Sequence, residues 1–219
     1  MERKVTIEYY SDVLCVWAWI AQRRIDELNS TFGDKINWHY RYVDIFGDAK
    51  GKIVRQWFDR ELFDGFSRHV VEAASAYDTA PVNPDVWTQV QPSTSANAHL
   101  LLKAVELTCS EEASVSLALA VRSAFYVDAL DISDQDRLLE MAASAGGNAE
   151  AIAKCIGSGE AMAALMRDYQ LAHEWSLKGS PSYVLDGGRQ ILYGNVGYRV
   201  LAANVEELLR QPAGEASWC

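Results

Sequence analysis

The 219-residue sequence has no two cysteines at short spacing: its four, Cys15, Cys109, Cys155 and Cys219, are scattered singly along the chain. That excludes the clustered thiolates of a structural zinc site, gives no disulfide framework, and suits a reducing compartment. Positive charge is also scarce, with 20 Lys and Arg against 30 Asp and Glu, a net charge of −10. A surface of that sign repels phosphate backbones and anionic headgroups, so neither nucleic acid nor a membrane is expected as a partner. No apolar run is long enough to cross a bilayer, and Met1-Glu2-Arg3-Lys4 leads into a strand pattern without a hydrophobic signal region; a cytoplasmic location is the expectation. The four histidines, His39, His69, His99 and His173, share no ligand spacing, and no metal is expected. Of only five prolines, Pro81, Pro84 and Pro92 fall within residues 79–95, which read as a surface loop.

What is present is ordinary globular material, 49% hydrophobic and 23% charged, enough for one domain with a large insertion. Val5 to Tyr10 reads as a strand, Val16 to Phe32 as a helix stopped at Gly33-Asp34, and Ile36 to Val43 as a second strand. Strand, helix, strand over about forty residues is a βαβ unit with parallel strands. The pattern then turns helical: 53–77, 96–110, 111–127, 133–144 and 148–175, the last broken at Gly157-Ser158-Gly159, with Ser133 and Asp136 as a helix-start signature. Two short strands flanking Gly187-Gly188-Arg189 form a hairpin, and a helix over 200–209 closes the chain. The predicted class is α/β, residues 1–51 and 176–219 forming one discontinuous domain and 52–175 an all-helical insertion.

Cys15 carries the chemistry. It stands in Asp12-Val13-Leu14-Cys15-Val16-Trp17-Ala18-Trp19, where the first strand runs into the first helix. A thiol at the positive end of a helix dipole is favoured as thiolate, which predicts a pKa below about 8.5 and a nucleophile. A small buried hydrophobe is the alternative. Ala18 stands where a C-x-x-C motif would place its second sulfur, so the motif cannot cycle its own disulfide. Of the two nearby indoles, Trp19 is expected in the core and Trp17 at the site, while Asp12 is expected to cap the helix start.

The element order, the strand–helix cysteine and Gly179-Ser180-Pro181 before the third strand resemble a thioredoxin fold carrying the helical insertion of the DsbA family. Ser93-Thr94-Ser95-Ala96-Asn97-Ala98-His99 and the segment from Ala124 to Asp134 resemble its FrnE-like branch. The opening Asp12-Val13-Leu14-Cys15-Val16-Trp17-Ala18-Trp19 resembles D-V-L-S-P-Y-S-W of kappa-class glutathione transferases and 2-hydroxychromene-2-carboxylate isomerases, with Cys15 on the catalytic Ser position. The resemblance implies a cis Pro181, with Ser180 pairing to an extended thiol peptide such as glutathione, and puts His99 at the cleft. Asn195 and the amides at the last helix start are the candidates to hold a carboxylate, in Tyr193 to Arg199, where the kappa branch has Ser-Asp-Arg. The resemblance implies a thiol-dependent oxidoreductase acting on small thiols or protein disulfides, with no tightly bound cofactor and glutathione as a cosubstrate. A glutathione-dependent isomerase or transferase and a non-catalytic peptide-binding module are the alternatives, and a homodimer is left open.

Overall fold

The computed structural model describes residues 3–210. A strand β1 (Val5–Ser11), a helix α1 (Val16–Phe32) and a strand β2 (Ile36–Tyr42) open the chain, and β3 (Ser182–Leu185), β4 (Gln190–Tyr193) and α9 (Tyr198–Arg210) close it. The strands form one sheet in the order β2-β1-β3-β4, with β1 parallel to β2 and antiparallel to β3. Between the halves run α2 (Ala49–Trp57), α3 (Leu62–Ala74), α4 (Ala96–Thr108), α5 (Glu111–Tyr126), α6 (Gln135–Ser144), α7 (Ala149–Ser158) and α8 (Glu160–Glu174).

Alternation in β1 decides which side chains go where, because successive residues of a strand point to opposite faces. Val5, Ile7 and Tyr9 join Ile25 and Leu28 of α1 and Leu201, Val205 and Leu208 of α9 in one apolar layer. Tyr10 goes to the other face, with Val184 of β3 and Ala172 of α8. The first turn of α1 contributes Val16, Trp19 and Ile20 to the core of the inserted helices. Polar contacts fasten the insertion to the sheet: the buried Asp168 of α8 accepts from Arg41 Nη1 at 3.1 Å and from the Tyr42 amide at 3.3 Å, and Lys103 of α4 lies 3.2 Å from it. A division of the chain at residues 51 and 52 falls inside α2.

Three local expectations differ from the structure. The helix expected over residues 53–77 is two, α2 and α3, separated by a tight turn at Phe58–Arg60 and by Glu61, with Glu61 and Leu62, the first residue of α3, at positive φ. Gly65 permits this break, since the Arg60 carbonyl occupies the place where a Cβ would stand. Helix α6 is capped by Asp134, whose carboxylate accepts from the Asp136 and Arg137 amides, rather than by Ser133, whose hydroxyl donates to Asp131. The segment 79–95 is not a surface loop throughout: Val86 and Trp87 are fully buried, the Trp87 ring lying 5.3 Å from Phe66 and 5.2 Å from Phe125. The hairpin after β3 turns through Gly187 and Gly188, and the Trp175 ring packs where Gly188 would carry a Cβ.

Candidate active site

Cys15 is the residue that caps α1, in extended conformation, its own carbonyl accepting from the Ala18 and Trp19 amides. The turn that delivers it is fixed by Asp12. That carboxylate is completely buried and accepts from the Leu14 amide at 2.9 Å, the Ile45 and Phe46 amides at 3.1 and 2.8 Å, and the Ser95 hydroxyl at 2.8 Å. A buried carboxylate is tolerated only when its lone pairs are so satisfied. Asp12 therefore ties the Cys15 turn to the loop after β2 and to the start of α4; it does not cap α1, at whose N-terminus no side-chain cap is made. Ser95 and the 45–46 amides are site residues that sequence reasoning missed, because their partner lies more than thirty positions away.

Across the turn lies the segment before β3. The Ser180–Pro181 bond is cis. Ser180 Oγ accepts from the Asp12 amide at 2.9 Å, and the Cys15 thiol donates to the Ser180 carbonyl, with sulfur and oxygen 3.0 Å apart. Cys15, Asp12, Ser180 and Pro181 are thus brought together, and Ala18, 1% exposed, lies one turn along α1.

Cys15 is only 6% exposed. Burial pushes its pKa above the ordinary value, outweighing the Ser180 side-chain hydroxyl and the Ala18 and Trp17 amides of the first helical turn, which pull it down; the Asp12 charge adds to the rise. The expected depressed thiol is overturned: the helix start is where the sequence put it, but withdrawal from water dominates. Cys15 rests as a protonated thiol.

His99 lies behind the turn rather than at a cleft. It is fully buried, Nε2 accepting from the Val13 amide at 3.2 Å, so that Nδ1 carries the proton and faces the Tyr169 hydroxyl at 3.0 Å. Its ring stacks on Tyr42, centroids 4.6 Å apart. Burial is the main cause that holds its pKa below the ordinary histidine value, so it is neutral at physiological pH despite an Asp12 oxygen 3.8 Å away. Tyr126 supports the same turn by donating to the Leu14 carbonyl at 2.7 Å. Trp19 is 8% exposed, stacked on Tyr126 and bonded to the Pro81 carbonyl, whereas Trp17 is half-buried. Asn195 is exposed and donates to the Tyr77 hydroxyl at 2.9 Å; neither it nor His99 shares a hydrogen bond with Cys15. Cys155 is buried and Cys109 exposed, while Cys219 lies outside the described residues.

A βαβ–ββα sheet with a cysteine opening its first helix, facing a proline loop before the third strand, defines a thioredoxin-like thiol protein. The chain belongs to the DSBA-like thioredoxin domain family, whose model matches residues 6–206. Solved structures agree on the fold. A probable DsbA oxidoreductase of Streptomyces coelicolor superposes with a TM-score of 0.78 at 18% identity, over 98% of this chain and 94% of that one. The cytosolic disulfide reductase DsbM of Pseudomonas aeruginosa, with GSH, gives 0.71 at 20% identity, over 94% of this chain and 100% of that one. A 2-hydroxychromene-2-carboxylate isomerase gives 0.69 at 18% identity, over 97% of this chain and 100% of that one. Among curated proteins none matches. No described helix is long and apolar enough to cross a membrane.

Proposed function

We propose that this chain exchanges thiols with disulfides through Cys15 alone, in a reducing compartment of the cell, with glutathione or another small thiol as the second reactant. The observation that carries the reading is the Cys15 thiol at the start of α1, 3.0 Å from the carbonyl of Ser180 beside Pro181. After losing its proton, the Cys15 thiolate attacks one sulfur of a substrate disulfide, a mixed disulfide forms, and the other sulfur leaves as a thiolate that takes up a proton. With Ala18 in place of a resolving cysteine, the external thiol attacks the mixed disulfide, passing its proton to the Cys15 sulfur as that sulfur is released and forming a new disulfide with the substrate sulfur. The sum converts one disulfide and one thiol into another disulfide and another thiol, with electrons balanced. Ser180 borders the reacting sulfur, with Pro181 next to it in the chain, and Trp17 would be the aromatic side chain offered to a substrate from α1; Asn195 would have to release Tyr77 to reach a substrate carboxylate.

Glutathione-dependent reduction of a small disulfide such as hydroxyethyl disulfide tests the reading. Cys15→Ser should abolish turnover and Cys155→Ser should not; full turnover by Cys15→Ser contradicts it. One observation favours a second reading, a glutathione-dependent isomerase or transferase: a protonated thiol at this position is a hydrogen-bond donor, the part a serine hydroxyl could play toward a bound glutathione thiolate. Under that reading Cys15→Ser keeps activity on a hydroxychromene carboxylate or an aromatic halide and Cys15→Ala loses it.

A further inference from the structure

Three helices of the insertion, α4, α6 and α7, leave a space where they meet. It is a cavity of about 180 Å³ walled by Leu100 and Leu101 of α4, Leu138 and Leu139 of α6 and Ile156 of α7. Leu101 and Leu138 are buried behind it, while Ala153 and Gly157, both exposed, border its opening to solvent. None of its described lining residues is charged. An aliphatic space of about 150 Å³ in a protein stays dry and takes up a molecule such as benzene, because water there finds too few hydrogen-bond partners. The space between α4, α6 and α7 is of that size and that chemistry.

Gly157 keeps the opening clear. It lies in the last turn of α7 with ordinary helical backbone, where glycine is a weak helix former, and a Cβ there would meet no atom within 4 Å, so neither conformation nor packing calls for it. One polar group on the wall points to the chemistry of a guest. Asn97 of α4 donates from Nδ2 to the Ser133 carbonyl at 2.7 Å; a carbonyl can only accept, which fixes the orientation of the amide and leaves Oδ1 an acceptor with no donor among the described residues.

We infer that this cavity binds a small uncharged ring compound with one hydrogen-bond donor, of the phenol class, its ring among the leucines and its hydroxyl donating to Asn97 Oδ1. A carboxylate or phosphate would find no cation on these walls. The site is separate from Cys15: helical spacing puts Asn97 and Leu101 on the other side of α4 from His99, which supports the Cys15 turn through the Val13 amide. It therefore does not rest on the thiol chemistry proposed above.

Titration of phenol into the full chain, followed by the methyl NMR signals of leucine and isoleucine, tests the inference. Saturable shifts at Leu100, Leu139 and Ile156 are expected, and none with benzoate, a ring of similar size that carries a charge. Shifts that grow without saturation, or that benzoate reproduces, overturn it. Gly157→Leu and Ala153→Leu, both at exposed positions, should each fill the opening and abolish the shifts; phenol binding that persists unchanged in both folded variants overturns the location. Asn97→Leu should weaken phenol about fivefold relative to toluene, which has the same shape and no donor, as the loss of one hydrogen bond implies. An unchanged ratio of phenol to toluene affinity overturns the part given to Asn97.

Discussion

At Cys15 two effects oppose each other. The Ala18 and Trp17 amides at the start of α1 favour a thiolate, and burial beneath the Ser180 segment favours a thiol; burial prevails. The first effect was legible in the sequence, because a strand running into a helix fixes where the sulfur stands. The second was not, since the covering residue lies 165 positions away. A pH dependence follows. In protein whose exposed Cys109 is replaced by Ser, alkylation of Cys15 by iodoacetamide should still accelerate above pH 9, beyond the midpoint of about 8.5 for a free thiol. A plateau below pH 8 would contradict the burial argument. Asp12 is the second residue whose role is positional. Asp12→Ala leaves two loop amides, the Leu14 amide and the Ser95 hydroxyl short of an acceptor in the interior, and should cost about 3 kcal/mol or more, read from the urea midpoint. His99 titrates with the opposite consequence from Cys15. The unfolded chain takes up a proton at about pH 6.5 while the buried ring resists it, so the stability His99 contributes is complete above that pH and is lost as the pH falls toward its folded value. The deficit of His99→Gln relative to wild type should accordingly be smaller at pH 5.5 than at pH 7.5; an unchanged or larger deficit would contradict a neutral His99.

Among the elements, α1 and β4 have the boundaries that periodicity and turn residues predict, because their signals are local: Gly33 ends α1 in the left-handed region, and glycines turn the hairpin. Where a close backbone approach or a contact between distant segments decides, the pattern gives no warning. Nothing in residues 53–77 announces a break, which follows from Gly65 meeting the Arg60 carbonyl, and three prolines suggest a solvated loop where Trp87 in fact fills the space between Phe46, Phe66 and Phe125. The buried indole makes that loop part of the core. Trp87→Ala should therefore destabilise the fold by about 3–5 kcal/mol, measured by thermal or urea unfolding; a loss under 1 kcal/mol would show that the segment does not carry the packing.

For the whole molecule, the architecture was legible because three signals agreed: a βαβ opening, a ββα close and a long helical interval. The way the inserted helices share their core with the start of α1 was not, since helical periodicity says which face is apolar and not what covers it. That shared core holds the Cys15 turn from behind through Asp12, His99 and Tyr126 and leaves one sulfur at the Ser180–Pro181 side. The central claim is that this sulfur, without a partner in the motif, forms a mixed disulfide with a small thiol. Incubation of the Cys109→Ser protein with oxidised glutathione at pH 9, followed by peptide mass spectrometry, measures it directly. A single glutathione on the Cys15 peptide, released by excess thiol and absent from Cys15→Ser, is the predicted result; a Cys15 that stays unmodified in the folded protein would contradict the account.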